Sequence, residues 1–415
     1  MKKIILTISI FLIIISNIKS QSGWVQQNSG TTQLLFSVFF VNAQTGWAVG
    51  NEGIIINTTT GGTNWEQQYS SGYNFLRSVY FLNSQTGWAV GYYAGLGRVL
   101  KTTNGGLNWI PYVNNSLGWV LTNIQFINEN TGWACGSSGN NYESTILKTI
   151  NSGQNWTLQY DSVGIGGNSL FEIQFLNSNS GYSVGWNNQL LKTTNGGTNW
   201  YYQNNNVFGL FNTLTFLNSS TGFIGGSDIY STHDGGNNWS QYGTNYNVKA
   251  MKIIDQNVIY GAGSAGKIIK TTNGGTNWNV LTSNTTEDLY SIFFLDSYIG
   301  WCVGANGKIL KTITGGITNI NELSTTTPIS CSLSQNYPNP FNPSTNIKFD
   351  VPKLENIRIT IFDAIGREIE TLVNEKLASG TYESTWDGSK YSSGIYFYRF
   401  QTGEYSETKR MILIK

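Results

Sequence analysis

The chain has 415 residues, and only 47 of them are charged: 24 basic and 23 acidic, with one histidine. A formal net charge of +1 gives no field able to gather phosphates, so neither nucleic acid nor an anionic membrane surface is expected as a partner. The length exceeds one ordinary domain and is enough for a large core.

At the front, Lys2 and Lys3 precede an apolar run from Ile4 to Ile15 and a small residue at Ser20, which reads as a signal peptide over residues 1–20. The run is well short of the ~20 apolar residues that a membrane span needs. No cysteine stands nearby to take a lipid, so contact with a membrane is expected only through surface attachment after export.

From residue 22 to 317 one repeat dominates. A box of the form T-x-x-G-G-x-x-W recurs at Thr58, Thr102, Thr193, Thr232 and Thr271, with a variant at Thr149. A second signature, T-G-W-A-V-G, starts at Thr45 and Thr86, becomes TGWACG at Thr131, and is looser at Ser180, Thr221 and Ile299. The period of about 42 residues suits the blades of a propeller. In the second unit, strands are predicted over Leu76 to Leu82, Gly87 to Tyr93, Gly97 to Thr103 and Asn108 to Val113, four to a blade. The glycine pair of each box supplies the positive φ that a tight turn between the third and fourth strands requires.

The number of blades follows from a defect. The seventh box, from Thr312, lacks its tryptophan and has no outer strand after it, yet the mature chain opens on Gly23-Trp24-Val25-Gln26-Gln27, which matches Asn64-Trp65-Glu66-Gln67-Gln68. The N-terminus is therefore expected to complete blade seven and leave no open edge. These signatures resemble the Asp-box, or bacterial neuraminidase repeat, and more closely the photosystem II assembly and stability factor family. The resemblance implies a seven-bladed β-propeller. Only Arg77 and Arg98 stand in this region, against the arginine-rich binding surface of that family, so a photosystem role is not implied.

Composition shifts after Ile317. Residues 318–334 read as a Ser/Thr- and Pro-containing linker, and from 335 to 415 the charge density is about three times that of the repeats. Alternating runs at Asn346 to Val351, Asn356 to Phe362, Gly380 to Trp386 and Gly394 to Phe400 predict a small immunoglobulin-like β-sandwich, so the fold class is all-β throughout. The ordered pieces Asn336-Tyr337-Pro338-Asn339-Pro340-Phe341, Gly366-Arg367, Trp386-Asp387-Gly388, Gly394 and Lys409-Arg410-Met411 resemble a type A C-terminal sorting domain of type IX secretion. That resemblance implies the type IX machinery as a partner, passage through the periplasm, and a secreted or surface location.

Catalytic chemistry finds little to rest on. Two arginines cannot form a sialidase cluster, and His233 lies inside the fifth box without a second histidine or a cysteine pair, so no catalytic residue, metal site or cofactor is assigned. Cys135, Cys302 and Cys331 show no metal or disulfide spacing. A carboxylate pair of glycosidase type would have to come from Glu52, Glu143, Asp161, Asp228, Glu287 and Asp288. Of fourteen tryptophans, twelve occupy repeat or tail positions, and only Trp119 and Trp186 are off pattern. With Tyr92, Tyr93 and Tyr142 they are expected to form an aromatic surface over blades two to four, on the face opposite the boxes, suited to a glycan or protein ligand. The leading function is a non-enzymatic interaction module; a secreted glycoside hydrolase and a structural surface-coat protein are the alternatives.

Overall fold

In a computed structural model the described residues are 23–72, 74–112, 119–138, 143–162, 168–203, 207–243, 246–316, 320–324, 326–353, 355–377 and 379–415. The signal-peptide segment lies outside them. The chain divides into two units, Ser22–Ile317 and one built on Thr318–Lys415.

The first unit holds seven four-stranded antiparallel sheets, and its innermost strands neighbour one another in a closed ring from blade one to blade seven. In blade two the strands are Phe75–Phe81, Gly87–Tyr93, Leu96–Thr102 and Ile110–Tyr112, within a residue or two of the boundaries predicted. Blade seven takes three strands from the end of the repeats and its fourth, Gly23–Gln27, from the front, with Val25 opposite Lys311 and Gln27 opposite Ile309. Trp24 is buried edge-on to Phe294 at 5.7 Å, in the place the missing box tryptophan would fill. Pairing both ends of the repeat region in one blade closes the ring and removes two strand edges.

The box turns show why the sequence repeats. In blade two, the Thr102 hydroxyl accepts the Gly106 N–H at 2.8 Å, and the Asn104 side chain accepts the Asn108 N–H at 3.0 Å. Gly105 and Gly106 sit at φ +69° and +89°, where a side chain is strained. Each box is also mortar for its neighbour. Trp47 stacks on Phe81 at 3.5 Å and donates its indole N–H to Gly105 O of the next blade at 3.2 Å; Trp88, Trp133 and Trp301 do the same to Ser152, Gly196 and Gly61. With Tyr182 on Gly235 and Tyr260 on Gly315, a stacked, hydrogen-bonded aromatic closes six of the seven seams, the exception being Phe223 of blade five, and each such pair stabilises the ring by roughly 1 kcal/mol beyond area burial.

The second unit is a sandwich of two four-stranded sheets around Phe349, Ile359, Trp386 and Tyr398, all buried. One sheet runs Ile320–Ser324, Gly380–Asp387, Ser344–Val351, Ser332–Leu333; the other runs Glu368–Leu377, Glu355–Phe362, Gly394–Gln401, Ser406–Leu413. The stretch 318–334 is thus not simply a linker. Ile320–Ser324 pairs with Gly380–Asp387, and Ser332–Leu333 with Ser344–Val351. Both are edge strands held through backbone pairing, which a Ser/Thr-rich composition hides.

Candidate functional site: the mouth of the propeller channel

Chain direction sorts the propeller's two ends. The turn between first and second strands meets the box turn, as in Gly61 N–H to Gln44 O at 2.7 Å, so both lie on one face. The inner strands begin on the opposite face.

There the register breaks in every blade. Leu35 opposes Gly50 and Ser37 opposes Val49, leaving Phe36 bulged, and the same shift leaves Arg77, Thr122, Phe171, Asn212, Lys249 and Tyr290 unopposed. A bulge inserts one residue and re-aims its side chain. All seven line one cavity of about 560 Å³ at the channel mouth. The glycine that ends the second signature permits this, because the bulge folds a carbonyl over it. A Cβ at Gly50 would stand 2.0 Å from Leu34 O, and at Gly91 1.7 Å from Phe75 O.

The ring has two chemically distinct arcs. On one, Lys249 lies 4.0 Å over Tyr290, Tyr290 meets Phe36 edge-on at 5.5 Å, and the Arg77 guanidinium lies 3.9 Å over Phe36. Lys249 is paired with Asp288 at 2.7 Å, whereas among the described residues Arg77 has no ion pair; its Nη2 donates to Tyr92 Oη at 3.2 Å. On the other arc, Thr122 donates to Leu170 O at 2.7 Å and Asn212 to Val248 O at 2.9 Å, each tying its blade to a neighbour.

One layer deeper, polar side chains cover the inner edges. Val79, Leu214, Met251 and Val38 N–H groups donate to Ser37, Glu172, Thr213 and Ser291 of the preceding blade at 2.9–3.3 Å. An inner strand would otherwise expose unpaired donors. Burial pushes the Glu172 carboxyl up to about 7, opposed by hydrogen bonds from Thr213 and Leu214 and the Lys252 charge; burial likewise lowers Lys252.

The five aromatic residues expected at the binding face separate. Tyr92 and Trp186 line the cavity, Trp186 being 43% exposed and tilted against Phe171 at 5.1 Å. Tyr93 is exposed outside it, beside Arg98 at 5.7 Å. Trp119 opens the inner strand of blade three and packs half-buried on the core between blades two and three. Tyr142 falls outside the described residues. The cavity draws on all seven blades, not on two to four alone. Aligning the seven inner strands would have found the ring: each reads apolar, variable, then small or polar, as in Leu35-Phe36-Ser37 and Leu76-Arg77-Ser78.

Of the acidic residues, Glu143 and Asp161 come close enough in blade three for their charges to interact. Asp161 is raised first by burial and then by Glu143. His233 is exposed within its box.

In the tail, the front and end of the sorting motif series meet. Asn336 is buried, its backbone N–H on Tyr398 Oη at 2.8 Å and its side chain on Thr345 at 2.9 Å. Asn339 accepts the Ile412 N–H at 3.0 Å, and buried Phe341 exchanges backbone bonds with Ile412 and Ile414. Tyr337-Pro338 and Asn339-Pro340 are cis, and Tyr337 is 81% exposed. Gly366 takes φ +81° in a turn braced by Arg367 on Asp363 at 3.0 Å; Gly394 starts its strand, and Lys409 pairs with Glu407 at 3.0 Å.

Fold and surfaces together define a seven-bladed propeller joined to a β-sandwich tail. Residues 335–415 match the family described as "Secretion system C-terminal sorting domain", and residues 16–112 match "Photosynthesis system II assembly factor YCF48". Similar solved structures include "YCF48 bound to D1 peptide" (21% identity, TM-score 0.58, 70% of this chain and 97% of that one) and YCF48 from Cyanidioschyzon merolae (20%, 0.58, 70% and 98%). PorZ, a surface component of the type IX secretion system of Porphyromonas gingivalis, is 13% identical at TM-score 0.55, covering 90% of this chain and 58% of that one. No curated protein matches the sequence. The chain thus joins a propeller of YCF48-like repeats to a sorting domain that marks it for type IX secretion to the cell surface or beyond.

Proposed function

We propose that this protein is a non-enzymatic interaction module that works outside the cell and captures a glycan or protein ligand in the mouth of its propeller. The observation that carries this reading is the convergence of seven bulged side chains, one from each blade, with Tyr92 and Trp186 in a single cavity. Its volume is within the range of ligand sites. A propeller of the same fold bound to a peptide and another described as a bacterial surface component are in keeping with it. The tail's partner on the way out is the type IX machinery.

Capture of glycans and surface extracts by the mature chain, compared with Phe171→Ala and Tyr290→Ala, tests the reading. Each substitution removes a central aromatic anchor and is expected to weaken capture about fivefold or more, with the ring still folded. Undiminished capture by both variants would place the ligand elsewhere.

A hydrolytic reading has one observation in its favour, the electrostatic contact of Glu143 with Asp161. In a carboxylate-pair glycosidase, Glu143→Gln or Asp161→Asn would abolish most turnover. The expected result on a polysaccharide panel is no product from wild type or either variant.

A further inference from the structure

Arg77 is costly as built. Its guanidinium is stacked on Phe36, its Nε is buried with no hydrogen-bond partner among the described residues, and the other cation of the ring, Lys249, already has Asp288. A buried donor left unpaired carries its full desolvation penalty with no bond to offset it, so such a group calls for an explanation. The guanidinium offers five N–H donors in a planar fork that fits a carboxylate, and one of them is used, on Tyr92.

The walls narrow the rest of the ligand. An extended peptide adds to a sheet by pairing with free strand edges. Here Ser37, Asn123, Glu172, Thr213 and Ser291 already occupy inner-edge N–H groups, so the mouth reads its ligand through side chains. Those are flat rings on both sides, Phe36 with Tyr92 and Phe171 with Trp186, and neutral amides and hydroxyls between them. Rings receive the C–H face of a pyranose, and the amides and hydroxyls receive its hydroxyl groups.

Resting on the reading that the mouth is the binding site, we propose that it binds an acidic saccharide, with a uronate carboxylate on Arg77 and sugar rings against Tyr92 and Trp186. Among the described residues the one carboxyl lining the cavity, Glu172, belongs to blade four, two blades from Arg77, and is spent on the Leu214 N–H.

The test uses the mature full chain and four probes: oligogalacturonate, its methyl ester, a neutral mannan oligosaccharide, and a peptide with a free C-terminal carboxylate. Binding is measured by calorimetry for wild type, Arg77→Gln, Arg77→Lys and Trp186→Ala, with circular dichroism to show that each variant is folded. Expected is binding of oligogalacturonate, weakened about tenfold or more by esterification and by Arg77→Gln. Arg77→Lys should keep part of the affinity, since charge remains and the fork is lost. Trp186→Ala should weaken the ester and the acid alike. If the ester or mannan binds as well as the acid and is lost in Trp186→Ala, the mouth is a binding site and the acidic-sugar proposal fails. Peptide binding that depends on Arg77, without uronate binding, also overturns the proposal and leaves the site standing. If no probe binds, or if all variants bind alike, both fail.

Discussion

At the box end of the ring seven turns repeat one chemistry, a threonine hydroxyl gripping a glycine N–H, from Thr58 on Gly62 round to Thr312 on Gly316. At the mouth, seven equivalent bulges carry six different side chains, from Phe36 and Arg77 to Asn212 and Tyr290. The backbone at both ends is equally regular. Where the side chain closes its own turn it is repeated, and at the bulge, which the backbone fixes, it is free to differ. Within one chain, then, constancy among repeats marks construction, and variation inside a constant backbone slot marks contact.

The largest effect should come from breaking the ring itself. Deleting residues 22–30 removes the fourth strand of blade seven and the burial of Trp24, a loss of about 5 kcal/mol or more, since removing one buried tryptophan side chain alone costs 3–5. Chemical denaturation of the deletion protein would then show either a large fall in midpoint or no cooperative transition. An unchanged midpoint would mean that Trp24 and its strand are dispensable to closure.

A smaller perturbation separates the two ends. Gly50→Ala puts a Cβ against Leu34 O at 2.0 Å and must shift the bulge that aims Phe36, at a cost of about 1–3 kcal/mol. Gly105→Ala sits at φ +69° with its nearest contact at 3.0 Å, and should cost about 1 kcal/mol. The first should lower both stability and ligand capture; the second should lower stability alone. Melting curves and binding on the same samples decide, and equal loss of capture in both would remove the distinction between the ends.

What the sequence shows and hides follows the same division. The box, the strand order and the borrowed strand at Trp24 are legible because each rests on local chemistry: glycine at positive φ, alternation, a tryptophan missing from one place and present in another. The mouth was sought through aromatics that break the pattern, which finds Trp186 and also Trp119, a residue that half-fills the seam between two blades. Arg77 and Phe171 escape that search because they obey the pattern, and only the register shift shows which way they point. Ile320–Ser324 escapes for another reason: an edge strand held through backbone pairing leaves no period in its side chains.

The finest test asks whether the channel wall behaves as a buried polar layer. The Glu172 carboxyl, raised by burial from 4.5 to about 7, binds its proton more tightly in the folded than in the unfolded chain. Stability from this group is therefore full below about pH 4.5, declines as pH rises towards 7, and is level above that. Thr213, the Leu214 N–H and Lys252 face the carboxyl and all favour its charged form, so they limit the decline without reversing it. Glu172→Gln retains an acceptor for the Leu214 N–H and cannot titrate, so the difference in unfolding free energy between variant and wild type should grow in the variant's favour from pH 4.5 to 7. Denaturant melts at pH 4.5, 5.5 and 7 measure it. A difference that stays constant across those three points would show that the wall is open to water at Glu172 and is not a buried polar layer there.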